Sequence, residues 1–277
     1  MPVIDVDGTL LSYAVAGDGP PVLLIQGAGI VGDGWQPQIH GLRERFTLIS
    51  FDNRGIGRST RPSRPLTIED MAADALAVVD ATGFQRFHLV GHSMGGLIAQ
   101  EVALTHPNRV VSLALLCTFA RGRQASAMSL DMLITALRMR IGSRAMRRDA
   151  FLELVMPKDY LDTCNRTILA NQLQPLFGRD LADQPSIVMQ QLRAMSRYDA
   201  GSRLRELGSI PTLVLTARHD RIARVAYGRE LAHAIPGAAY VEIPDAGHGV
   251  TIQRADHINE LLAAHLSRAA ALEPQPA

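Results

Sequence analysis

Residues 91–95 read Gly91-His92-Ser93-Met94-Gly95, a G-x-S-x-G pattern. Chance alone produces such a pattern in roughly one chain in ten of this size, so its surroundings decide its meaning. An apolar run, FHLV at 87–90, precedes it, and a helix-like segment, LIAQEVALTHP, follows. A serine on a sharp strand-to-helix turn has its hydroxyl lifted above the sheet edge. Glycines two positions to either side let backbone pass where a Cβ would clash. The N–H of Met94 then falls at a helix N-terminus, where free donors face a developing oxyanion. The competing use of the same residues is a Gly-rich helix start capped by serine.

A serine hydroxyl is a poor nucleophile until a base takes its proton. Among the 9 histidines, His248 stands in the loop PDAGHGV behind the strand-like run YVEI, with glycines on both sides of it. His92 adjoins the serine and is expected to point away from it; His88 lies within a strand and reads as a core residue. The third partner must orient the imidazole and stabilise its cation. Asp220 fits that role, ending ARHD directly behind the run TLVLT. Asp245, in the loop of His248, and Asp199 are the rivals. The order Ser93, Asp220, His248 is one in which such triads occur on α/β sheets.

The elements that must position these residues show as short apolar runs, each followed by a turn and a helix-like stretch. The runs lie at 22–25, 46–51, 87–90, 110–117, 212–216 and 240–243. Apolar residues without strict alternation suit strands covered on both faces, as in a parallel sheet with helical crossovers. Thr67 followed by Asp70 predicts a helix start, and Gly83 its stop. Between 121 and 200 the strand rhythm disappears. That stretch is rich in Met, Leu and Arg, is broken by Pro157, Pro175 and Pro185, and reads as an inserted helical cap. Its crowded arginines, Arg121, Arg123, Arg138, Arg140, Arg144, Arg147 and Arg148, read first as a solvated face and second as a surface for an acidic substrate or a partner subunit. Met128, Met132, Met139, Met146 and Met156 either fill the cap's own core, the reading we favour, or roof an apolar pocket. The resulting division is a core of 1–120 and 201–270, a cap of 121–200 and a flexible tail of 271–277.

Composition narrows the class. The chain has 277 residues, 47% apolar and 20% charged, with a formal net charge of +1. Those values suit a globular protein and give no overall pull toward nucleic acid or an anionic membrane. Cys117 and Cys164 form neither a disulfide framework nor a metal-ligand spacing. The opening MPVIDVDGTLL lacks the pattern of a signal peptide, and no apolar run approaches bilayer length, so a cytoplasmic location is expected. The composition is compatible with a homo-oligomer.

VDGTLLSYAVAGDGPPVLLIQGAG, FDNRGIGRS, GHSMGG, TLVLTARHD and DAGHGV follow one another in the chain. In kind and order they resemble the α/β-hydrolase fold family, especially its carboxylesterases, enol-lactonases and related small-molecule hydrolases. The resemblance implies a mostly parallel central sheet flanked by helices, with a cap inserted. It also implies a serine esterase or lactonase acting through Ser93, His248 and Asp220, with the N–H groups of Ala28 and Met94 as oxyanion donors. No metal or organic cofactor is implied, and the partner is a small ester or lactone. Asp52, Arg54, Gly55, Gly57 and Ser59 of the DNRGIGRS loop read as structural. The chain departs from the family in one place: Gln26-Gly27 stands where relatives usually carry His-Gly. Serine at position 93 sets it apart from haloalkane dehalogenases and epoxide hydrolases, whose nucleophile is aspartate.

Three other readings compete. A C–C bond hydrolase of ring-fission products would use the same residues. A ligand-binding or signalling protein could share the scaffold with little turnover. DVDGT at 5–9 resembles the first motif of haloacid-dehalogenase-type phosphatases, but Asp7-Gly8 between apolar runs is first a hairpin signal. That chemistry also needs a later lysine and a paired-aspartate loop, and Lys158 is the single lysine.

Overall fold

Val3–Val6 (β1) and Thr9–Ala16 (β2) pair antiparallel, with Val6 opposite Thr9, so Asp7 and Gly8 form the two-residue turn. Both have positive φ, 51° and 76°, which is what an Asp-Gly hairpin turn requires. DVDGT is thus a hairpin at the sheet edge. The structure is a computed structural model describing residues 1–126 and 129–272. Met128 and residues 273–277 of the expected tail lie outside the described residues.

The remaining strands are Pro21–Ile25 (β3), Thr47–Phe51 (β4), Phe87–His92 (β5), Val110–Leu116 (β6), Thr212–Ala217 (β7) and Ala239–Ile243 (β8). They complete an eight-stranded sheet in the order β1-β2-β4-β3-β5-β6-β7-β8, parallel from β4 through to β8. Every residue of β4, β5, β6 and β7 is buried, which explains why these runs are apolar without alternation. β1, at the edge, alternates between exposed and half-buried.

Helices Gln36–Leu42 (α1), Ile68–Ala81 (α2) and Met94–Thr105 (α3) connect the early strands. Thr67 caps α2, its hydroxyl accepting the N–H of Asp70 at 3.0 Å, and Gly83 beyond the helix end has φ +81°. Among the described residues five α-helices lie between β6 and β7: Leu130–Arg138 (α4), Arg144–Val155 (α5), Lys158–Asp162 (α6), Arg166–Phe177 (α7) and Val188–Arg197 (α8). Val225–Ala234 (α9), Val250–Gln253 (α10) and Ala255–Ala270 (α11) close the chain. α2 packs on α3, and α1 on α11. Among the described residues no helix is long and apolar enough to cross a membrane.

The segment between β6 and β7 has an apolar cluster of its own, in which Phe151, Leu152, Leu161, Leu173 and Phe177 meet and the two phenyl rings stand edge to face at 5.2 Å. Its arginines are largely neutralised. Arg121 pairs with Asp199 and Glu230, Arg138 with Glu153, and both Arg144 and Arg148 with Asp180. The crowding of positive charge in the sequence is therefore not a continuous basic face.

Strand order reverses at β3, whose neighbours β4 and β5 lie on opposite sides of it. The carboxyl ends of β3 and β5 consequently open a crevice, the place where ligands bind on such sheets.

Candidate active site

Ser93 lies directly behind β5 and caps α3, with φ +56° and ψ −119°. A non-glycine residue in that region costs about 1–3 kcal/mol, and it persists because its surroundings leave no alternative. The two flanking glycines are part of that enforcement. A Cβ at Gly95 would lie 2.0 Å from the carbonyl oxygen of Ile25, and one at Gly91 would lie 2.3 Å from that of Gly95. Only residues without side chains let α3 start this close to β3 and β5.

His248 stands in the loop between β8 and α10, and Asp220 in the loop behind β7. His248 Nε2 is 2.9 Å from Ser93 Oγ, and its Nδ1 is 2.7 Å from Asp220 Oδ2. Asp220 Oδ1 accepts the N–H groups of Ile222 and Ala223 at 2.7 and 2.8 Å. Burial alone would raise the Asp220 carboxyl. The facing imidazole and the two backbone donors outweigh burial and hold it below its ordinary value. Three side chains far apart in sequence thus converge at the carboxyl edge of the sheet. The rivals are occupied elsewhere: Asp245 pairs with Arg254, and Asp199 with Arg121.

Ala28 lies on the loop behind β3 and lines the same cavity as Ser93 and His248. Met94 is the first residue of α3, so its N–H has no acceptor within the helix. Gln26, the departure from the usual histidine, is buried; its side-chain carbonyl accepts the N–H of Gly27 at 3.1 Å. The amide packs where Gly34 has no Cβ, since a Cβ there would lie 2.8 Å from Gln26 Nε2. The glutamine therefore braces the loop from within.

The DNRGIGRS loop supports this edge. Asp52 accepts the N–H groups of Gly32 and Arg58, while Arg54 forms a buried bidentate pair with Asp74. None of its residues lines the cavity.

His92 is a residue that sequence reasoning underrated. Its Nε2 donates to the carbonyl of His248 at 2.9 Å, and the two rings lie 4.9 Å apart. Burial, with His248 adding to it, pushes His92 down to about 3, so it is a neutral prop beneath the loop of His248. Its place beside the serine was the available signal. His88, by contrast, is a core residue with Nδ1 2.8 Å from Ser112 Oγ.

Among the described residues, His92, Cys117 and His248 offer ring nitrogens and a sulfur within 4.8 Å of one another. Both nitrogens of His248 are already engaged by Ser93 and Asp220, and burial raises the Cys117 thiol well above its ordinary value, away from the thiolate a metal requires. The trio does not fit a resident ion.

Above Ser93 the helices between β6 and β7 enclose a cavity of about 590 Å³. Met132, Met139 and Met156 line it, whereas Met146 is exposed. Met156 also belongs to the apolar cluster of this segment, and Met139 packs against that cluster. Both expectations thus hold for Met139 and Met156, on different faces of the same side chains; Met132 answers to the pocket reading alone and Met146 to neither.

A family model described as alpha/beta hydrolase fold matches residues 20–255. The protein of Azorhizobium caulinodans named "Putative carbamate hydrolase RutD" is 30% identical, over 91% of this chain and 93% of its own. The enol-lactonase of Burkholderia xenovorans LB400 superposes with a TM-score of 0.80 at 30% identity, covering 96% of this chain and 100% of that one. A thermophilic esterase from Thermogutta terrifontis superposes with a TM-score of 0.78 at 25% identity, covering 96% and 97%.

Proposed function

The chain belongs to the α/β-hydrolase fold family and is a hydrolase, and from that footing we propose that it cleaves carboxylic esters or lactones of small molecules through an acyl-enzyme on Ser93. The observation that carries the reading is the unbroken line of contacts from Asp220 through His248 to Ser93, at 2.7 and 2.9 Å. Ser93 Oγ attacks the carbonyl carbon as its proton passes to His248 Nε2, and Asp220 stabilises the imidazolium. The N–H groups of Ala28 and Met94 receive the oxyanion, each worth about 3 kcal/mol of barrier. His248 returns the proton to the leaving oxygen, then takes one from the water that releases the acid. The helices over the cavity act as a cap that excludes bulk water and selects the acyl group.

A lactone is the same chemistry with leaving group and acid joined, and the likeness to an enol-lactonase favours it. A carbamate, named for the RutD relative, would present the same carbonyl to the same serine. Fluorophosphonate labelling of Ser93, together with turnover of short p-nitrophenyl esters, tests the reading. Ser93→Ala is expected to lower turnover by at least about 10³-fold with the fold intact. Near-native rates in that variant would refute it, and labelling without any turnover would favour a binding role on this scaffold.

A further inference from the structure

The cavity above Ser93 is lined mainly by apolar side chains. Its described lining includes two charged residues whose sign is fixed, Arg140 and Arg179, and no carboxylate. Arg179, in the loop behind α7, is the inner one. Its Nη2 donates to the carbonyl of Gly29 at 3.3 Å, while Nε and Nη1 are buried without a hydrogen-bond partner. The rings of Phe151 and Phe177 lie 5.8 and 6.0 Å from its guanidinium carbon. The carboxylates near it in sequence are taken: Asp180 is held by Arg144 and Arg148, and Asp183 by Arg144. Burial lowers Arg179 to about 10, which leaves it a cation at neutral pH. A half-buried cation whose Nε and Nη1 are buried without partners gains when an anion reaches it.

We infer that Arg179 anchors a carboxylate of the substrate, so that the molecules cleaved at Ser93 are short esters or lactones bearing a second, ionised acid group. The inference deepens the proposed hydrolase reading and rests on it. With one N–H committed to Gly29, a fork of the guanidinium remains for the two oxygens of a carboxylate. Gly29 follows Ala28 directly, so the anchor rests against the same loop that carries the proposed oxyanion donor. An acid group held there belongs to a short substrate, whose scissile carbonyl lies at the other side of that loop. The apolar lining takes the carbon chain between them, and Arg140, exposed at the mouth with its Nη2 3.2 Å from Met189 Sδ, adds positive potential along the way in.

Binding to Ser93→Ala, which holds an ester without cleaving it, separates the anchor from the chemistry. The probes are monomethyl glutarate and its uncharged shape-mimic methyl 5-methylhexanoate, titrated calorimetrically. The half-ester is expected to bind at least about tenfold more tightly. Adding Arg179→Met should erase that preference, and Arg179→Lys should keep part of it. Equal binding of the two esters to Ser93→Ala, or a preference that survives Arg179→Met, overturns the proposal. Arg179→Met removes a half-buried charge that forms no ion pair among the described residues and is expected to melt no lower than its parent; should it unfold, Arg179→Gln takes its place in the same comparison. Turnover of both esters by the unaltered protein is read separately. Its absence would count against ester cleavage at Ser93, while the binding ratio still judges the anchor.

Discussion

Ser93 combines two demands that pull against each other: its hydroxyl must stand clear of the sheet, and its backbone must accept φ +56° to put it there. Glycine would hold that conformation without strain, although it loses more entropy on folding. Comparing Ser93→Gly with Ser93→Ala therefore measures the strain directly, since both lack the hydroxyl. Strain of about 1–3 kcal/mol less glycine's entropic disadvantage predicts that Ser93→Gly is the more stable by about 1 kcal/mol in urea denaturation. Equal stabilities would mean that the turn is relaxed. Ser93, His248 and Asp220 were legible because each follows an apolar run and sits among turn residues, a pattern that local sequence carries. Arg179 and the bracing role of Gln26 were not. Whether a guanidinium is paired, or an amide finds room beside Gly34, depends on neighbours supplied by distant segments.

At the scale of elements, the site depends on how closely α3 approaches β3, because one carries Met94 and the other leads into Ala28. Gly95 sets that distance. With backbone 2.0 Å from a would-be Cβ and no flexible side chain to yield, Gly95→Ala must push the helix away. It is expected to cost about 1–3 kcal/mol or more and to lower turnover with it. Gly83→Ala, where nothing lies within 4 Å, is the control: it carries only the left-handed backbone penalty of about 1–2 kcal/mol and should leave turnover unchanged. Retained activity in Gly95→Ala would show that the two proposed oxyanion donors need not be fixed by this contact. The strands were readable in advance because burial on both faces leaves unmistakable apolar runs. The hairpin of β1 and β2 was readable from its Asp-Gly turn alone. The helices α4 to α8 were visible only as a loss of strand rhythm: the apolar faces of α5 to α7 meet one another, whereas Ala194 and Met195 of α8 join the main core.

For the molecule as a whole, the buried imidazoles couple stability to pH. His88 and His265 are pushed by burial to about 4, and His92 to about 3, from an ordinary value of 6.5. In the unfolded chain all three take up protons as pH falls through 6.5, while the folded protein holds them neutral. Unfolding therefore binds protons in this window, and stability must fall as pH drops from about 6.5 toward 4, levelling off for each group once the folded protein also protonates. The Asp220 carboxyl, held below its ordinary value, acts in the same direction at still lower pH. A tenfold loss of proton affinity on folding corresponds to about 1.4 kcal/mol, so the three imidazoles together amount to several kcal/mol, a large part of the stability of a typical domain. Urea midpoints measured between pH 7.5 and 4.5 should decline steadily. Calorimetric unfolding near pH 5, repeated in buffers of different ionisation enthalpy, should report a net uptake of roughly three protons from these groups. An unchanged midpoint across that range would mean that the three rings carry protons in the folded state, and with that the neutral prop that His92 provides beneath His248 would be lost.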